Sequence, residues 1–333
     1  MYEMLGVCLS LAGFLVINIL VSLLVAIFWR VISPIAASWP TSTRAQILFL
    51  LRIAPGLWAI LLVGVLLIPS YLAHEPRHTT ETVSARLGLL AAVSLYGIVL
   101  AACRGLLTCF ATRRLIRDWL KYAEPIQLEN VSIPTFRVQH QFPVIAILGA
   151  THPRLFVADQ VFHSLDKEEI SAAVAHENGH LLAGDNLKRG LLNACRGLLP
   201  ISPLGRSLER AWAETAEAAA DEYAAKGGGS VALDLASALV KVARLVPRGS
   251  TPATIAGASL ITEDPGSIRA RVLRLTQLAV QSKRPQRLDA HVFNLAMGAC
   301  LSGLFVAVIL TVYSSDRLAA IHSALEYVVA ALQ

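Results

Sequence analysis

Four long, nearly charge-free stretches constrain this chain more than anything else in it. They run from Met4 to Trp29, from Ile53 to Ala73, from Leu87 to Cys103 with a continuation toward Ala111, and from Val292 to Ser315. Each is near or above the roughly 20 residues that a helix needs to cross a hydrocarbon core. The average agrees: only 16% of residues are charged, against about a quarter in soluble domains, and mean hydropathy is +0.58. The first stretch lacks a basic leader and a small-residue cleavage site, and Glu3 precedes it, so it reads as a retained span rather than a signal peptide.

Orientation follows from the basic residues. Arg30 and Arg44 flank the first short loop; Arg104, Arg113, Arg114, Arg117 and Lys121 follow the third stretch; Lys283, Arg284 and Arg287 precede the fourth, after which only Arg317 remains. Positive charge collects on the cytoplasmic side, which places the N-terminus outside and residues 112–290 in the cytoplasm. The net charge of +6 is then explained by topology and a lipid bilayer partner, with no direct nucleic-acid binding expected. The five cysteines lack metal-ligand spacing and no disulfide is expected.

Between the third and fourth stretches lies Ala175-His176-Glu177-Asn178-Gly179-His180-Leu181, a His-Glu-x-x-His run in a helical pattern. One helical turn separates His176 from His180, so both imidazoles can reach a single metal ion, while Glu177 is turned by about 100° and can touch a water on that metal. The same expression recurs as His74-Glu75-Pro76-Arg77-His78. There Pro76 drives Glu75 out of the helical region, and the run reads as a turn between two spans. Around His176 the context favours a helix: Asp166 stands as N-cap, with Glu169 in the capping-box position. Ile170, Ala173, Val174 and Leu181 form an apolar arc that includes or borders the three ionisable residues, and burying these is costly unless something pairs with them.

A catalytic zinc site usually has three protein ligands. Residues from Pro203 to Lys226 predict a long helix that stops at Gly227-Gly228-Gly229 and carries Glu214, Glu217, Asp221 and Glu222. Glu217 and Asp221 share a face, so Glu217 can be the third ligand while Asp221 steadies a histidine. Glu214 lies on nearly the same face and competes for the ligand role.

The succession of strands, a His-Glu-x-x-His helix and a Glu-x-x-x-Asp helix resembles the gluzincin peptidases. Within them it is most similar to the BlaR/MecR-type integral-membrane metallopeptidases, and secondarily to the HtpX-type and CAAX-prenyl-protease-type membrane peptidases. The residues that carry the resemblance are those from Ala175 to His180, Gly184-Asp185-Asn186, and those from Glu217 to Asp221, within roughly residues 125–245. The resemblance implies one zinc ion per chain held by His176, His180 and Glu217, with Glu177 as catalytic base and Asp221 in support. The chain lacks the large extracytoplasmic ligand-binding domain of BlaR/MecR-type receptors, which speaks against antibiotic sensing.

The expected architecture is a mainly α membrane protein with four transmembrane helices and an α+β zincin-like metallopeptidase domain inserted between the third and fourth. Residues 1–111 hold three spans (4–29, 53–73 and 87–111), 112–290 the cytoplasmic domain, 291–315 the fourth span, and 316–333 a short amphipathic tail. Strands are predicted at Ile126–Leu128, Thr135–Val138, Val144–Leu148 and Arg154–Val157, the third a candidate edge for holding an extended peptide. Helices are predicted over Leu187–Leu199 and Ser230–Val246, with a small-residue connector over residues 247–268. A basic helix from Arg269 to Leu278 is expected to lead to the membrane surface. Gly179 either permits a close approach to the site or is a neutral helical glycine. Candidates for stabilising an oxyanion are His140, His152, Arg210 and Tyr223.

The activity expected is a multi-pass endopeptidase of a bacterial inner membrane that cleaves peptide bonds through a Glu-activated, zinc-bound water. Its substrate would be a protein or peptide, with a transcriptional repressor or the chain itself as family-level candidates. Two alternatives stand beside it: an HtpX-like quality-control peptidase, and a non-catalytic signalling or scaffold protein with a degenerate site.

Overall fold

A computed structural model describes residues 2–76, 83–128, 131–199, 203–246 and 265–280, with residues 303, 319–320, 322–323 and 326–327. The fourth apolar stretch, the connector before residue 265 and most of the tail lie outside the described residues.

Among the described residues, three helical rods are long and apolar enough to cross a membrane. The first is α1 (Tyr2–Ala36). The second runs from Thr41 to His74 as α2 (Thr41–Leu62), a π-helical turn (Val63–Leu67) and α3 (Ile68–His74). Pro69 stands two residues past that turn; it cannot donate to a carbonyl one turn back, the usual setting for such irregularities. The third is α4 (Ala85–Leu120), where the Ser84 hydroxyl caps the first turn by accepting from the Leu87 N–H at 3.2 Å. Outward faces carry exposed Leu24, Ile60, Leu89 and Leu107, as a lipid-facing surface would.

All three helices outrun the apolar stretches that announce them. Charge was expected to end a span at Arg52, yet the helix begins 11 residues earlier, at Thr41. Arg52 is mostly buried and pairs with Glu209 at 2.8 Å, so its charge is neutralised inside the bundle. α4 likewise continues without a break past residue 111 to Leu120.

The sheet has four strands, β1 (Glu124–Ile126), β2 (Thr135–Val138), β3 (Ile145–Leu148) and β4 (Arg154–Ala158), in the order β1-β2-β4-β3. Only the β2–β4 pair is parallel. β3 therefore lies at an edge, opposite Leu155 and Val157 through Ile147 and Ile145. Its core joins the sheet to Ile116 of α4, to Ala172, Ala173 and Val174, and to Leu235 and Leu239.

After α5 (Asp159–Ser164) come α6 (Lys167–Ala183), α7 (Asp185–Leu198), α8 (Pro203–Ala225), α9 (Gly229–Leu245) and α10 (Pro265–Val280). The capping box at α6 is present in full: Asp166 accepts from the Glu169 N–H, and the Glu169 carboxylate accepts from the Asp166 N–H. Glu169 also reaches Lys241 of α9 at 2.6 Å, tying the two helices together.

α7 and α8 fold back along the apolar rods. α7 runs antiparallel to α4: Asn193 donates to Thr108, and Gly197 packs so closely that a Cβ would lie 2.2 Å from the Ala101 nitrogen. α8 returns beside α2, from Gly205 near Arg52, through Trp212 in a cluster with Leu48 and Phe49, to Glu222, which accepts a hydrogen bond from Thr41 at 2.6 Å. The hairpin thus anchors α8 to the start of α2.

Candidate metal centre

α6 supplies three of the site's side chains. His176, Glu177 and His180 are 0%, 2% and 6% exposed, a degree of burial that ionisable groups rarely have without partners. α8 crosses α6 at Gly179, where a Cβ would stand 3.0 Å from the Ala220 Cα and 3.2 Å from the Tyr223 Cβ. Gly179 therefore serves the close approach of two helices. That contact brings Glu217 over the histidines. Gly179→Val should force the helices apart at a cost of about 1–3 kcal/mol, and should weaken metal binding measured by titration more than Ala-for-Gly at Gly190, where an added Cβ would meet nothing within 4 Å.

His176 Nε2 and His180 Nε2 each lie 3.4 Å from a different oxygen of Glu217. The two rings are perpendicular, with centroids 4.9 Å apart. One ligand atom from each of His176, His180 and Glu217 falls within 4.8 Å of the others, so the group could hold a metal ion. Behind each imidazole stands a carboxylate. Asp185, just past the left-handed Gly184 that ends α6, bonds His180 Nδ1 at 2.7 Å. Asp221 comes within 3.0 Å of His176 Nδ1, off the hydrogen-bond direction. Carboxylates placed this way orient imidazoles and leave Nε2 for a metal.

The fit to a cation is visible in what stays unsatisfied. His180 Nε2, Glu217 Oε2 and Glu177 Oε1 are buried and make no hydrogen bond. Orphaned buried acceptors of this kind call for an explanation such as an ion or water. Two nitrogens and a carboxylate oxygen are the donors a borderline metal prefers.

Electrostatics bind the group tightly. Burial alone would lower the pKa of His180, but the facing Glu217 charge outweighs it and holds the imidazole up at about 10. Burial opposes ionisation of Glu217 as well, yet the His180 charge keeps it well below the usual carboxylate range. For Glu177 burial wins, raising its pKa against the pull of both histidines. Its Oε2 accepts the Ile147 N–H of β3 at 3.2 Å.

Arg271 and Arg274 of α10 face this centre. The Arg271 guanidinium, buried, grips Asp221 at 2.6 and 3.0 Å, and stands 3.3 Å from Glu217 and 3.4 Å from His176 Nε2; Arg274 reaches Asp221 at 2.7 Å. Arg189 of α7 donates to Glu217 at 3.0 Å. A sequence signal existed: Ile268, Arg271 and Leu275 recur at helical spacing, which puts an arginine on the buried stripe. Of the four residues considered as oxyanion donors, His140 packs on Trp119 and Phe142, His152 sits on an exposed turn, Arg210 is exposed, and Tyr223 stands beside Gly179 with its ring under Lys226.

Of the two glutamates considered as third ligand, Glu214 is exposed, while Glu217 is buried and belongs to the group that could hold an ion. β3 does form an edge, but its outward groups at Ile147 are engaged, the N–H by Glu177 and the carbonyl by Asn186 at 2.8 Å. Fold and site together define a helical chain with three membrane-length helices and a buried His-His-Glu group able to hold a metal ion. The chain matches no protein-family model and no curated protein.

Proposed function

We propose that this chain is a membrane-embedded, zinc-dependent endopeptidase working on the cytoplasmic side of a bacterial inner membrane. The observation that carries the reading is the convergence of His176, His180 and Glu217 from two helices, with Glu177 beside them and a carboxylate behind each imidazole. Three protein ligands with one position left open is the arrangement of catalytic rather than structural zinc. A zinc ion bound there supplies Lewis acidity and a water that ionises near neutral pH.

Glu177 holds the Ile147 N–H on one oxygen and keeps the other, Oε1, without a hydrogen bond. That oxygen is the acceptor for the proton of the attacking water, and the same carboxyl then protonates the departing amine. Arg271 is assigned to the negative charge that develops on the scissile carbonyl oxygen. It is a preorganised donor 3.4 Å from His176 Nε2, in a site nearly closed to solvent.

Topology supports the orientation. The metal-bearing half of α8 touches Thr41, at the end of the second rod that follows Arg30, and basic residues mark the cytoplasmic end. His322 lies beside Glu75, at that rod's other end. By length and composition, the apolar stretch of residues 292–315 is long enough for a further span.

Replacing one ligand tests the assignment. The purified His180→Ala protein should hold one zinc fewer per chain than the unsubstituted protein and should not cleave peptides. Zinc content unchanged, or cleavage unchanged, ends the proposal.

A further inference from the structure

A cavity apart from the metal centre lies where α1 and α2 meet the α7–α8 hairpin, lined in part by Asn18, Ser22, Arg52, Cys195 and Gly205. Its level on the rods is inside the apolar layer. Arg52 stands 11 residues past Thr41, about 16 Å along the helix. On α1, exposed Ile27, Val31 and Ile35 continue beyond Ser22 toward and past Arg30, as a lipid-facing surface would. A charge at such depth is paired or faces a polar cavity. Here the pairing is incomplete. Glu209, 4% exposed, is the partner of both Arg52 and Arg196, with one oxygen for each. One carboxylate between two guanidiniums leaves one positive charge over.

We infer that this cavity binds an anionic phospholipid of the leaflet on the Arg30 side, with the headgroup phosphate held by Arg52 and Arg196. Three observations carry it. Among the described residues, the Arg52 guanidinium hydrogen-bonds Glu209 through Nε alone, which leaves its terminal nitrogens for a ligand. Asn18 is 2% exposed and its Nδ2 makes no hydrogen bond, so from the cavity wall it can donate to an oxygen of the same lipid. The Arg196 side chain is 53% exposed beyond its bond to Glu209, within reach of a headgroup outside. Arginine suits phosphate because its planar fork gives two parallel hydrogen bonds. Basic pockets between membrane helices are where anionic headgroups lodge. The inference needs only that the rods cross a bilayer, and stands apart from the peptidase reading.

Full-length protein in detergent would be titrated with phosphatidylglycerol, with phosphatidylcholine and with inorganic phosphate, and the lipid bound per chain read by native mass spectrometry. One phosphatidylglycerol should bind, about tenfold or more tighter than phosphatidylcholine. Inorganic phosphate, without acyl chains, should not displace it. Arg196→Gln, at an exposed position and so safe for folding, should weaken phosphatidylglycerol about fivefold. Asn18→Leu should weaken it several-fold through the lost hydrogen bond. Arg113→Gln removes an exposed arginine that does not line the cavity and should change nothing. Equal binding of the two lipids, or displacement by inorganic phosphate, overturns the proposal. So does an affinity that Arg196→Gln and Asn18→Leu leave unchanged, or that Arg113→Gln lowers as much as Arg196→Gln.

Discussion

Glu177→Gln should keep its zinc and lose cleavage by about 10²–10⁴-fold, the range that a positioned general base contributes. Glutamine has nearly the volume of glutamate, and its amide oxygen can go on accepting the Ile147 N–H that Glu177 accepts now at 3.2 Å. What vanishes is the basic oxygen at Oε1, the one buried without a hydrogen bond. None of the three candidate ligands is altered, so metal content and thermal stability should stay near those of the unsubstituted protein. Metal analysis and cleavage assayed on the same preparation check this. Cleavage at an undiminished rate would remove Glu177 from the reaction, and loss of zinc would make it a ligand instead.

Asp221→Ala should cost the fold about 3–5 kcal/mol, the usual penalty for removing one partner of a buried ion pair. Asp221 is fully buried and is the shared partner of Arg271, Arg274 and His176. Burial alone would raise its pKa, but the Arg271 guanidinium outweighs that and holds it far below the usual carboxylate range. Truncation would leave the Arg271 charge in a dry site beside His176, where it also opposes a bound dication. Thermal unfolding in detergent should therefore shift down, and zinc affinity should fall with it. The paired change Asp221→Ala with Arg271→Met removes the orphan charge and should restore much of the stability without restoring the orientation of His176. If Asp221→Ala alone unfolds like the unsubstituted protein, the ion pair is not what closes α10 over the centre.

Much of the site was readable because its code is local. His176, Glu177 and His180 lie within five residues, and helix geometry alone places them on one face. The same holds for the Asp166–Glu169 capping box and for strand β2, found at Thr135–Val138 as expected. Asp185 and Arg271 were not read as site residues, since nothing near them in sequence names their partners: Asp185 acts through a turn at Gly184, and Arg271 from 95 residues beyond His176. The helix lengths were underestimated for a related reason. Hydropathy registers a charge such as Arg52 as a boundary, but Glu209, 157 residues away, cancels it inside the bundle.

Sequence by itself determined the membrane-length apolar helices and the histidine pair, because both follow from periodicity and from the solvation of single side chains. Tertiary structure decided which carboxylate meets the histidine pair, bringing in buried Glu217 while Glu214 stays exposed, through the close crossing at Gly179. It also decided that α10 faces the centre and that Glu75 meets His322. Pairings between distant segments depend on how whole helices pack, and packing is a property of surfaces that no local pattern encodes.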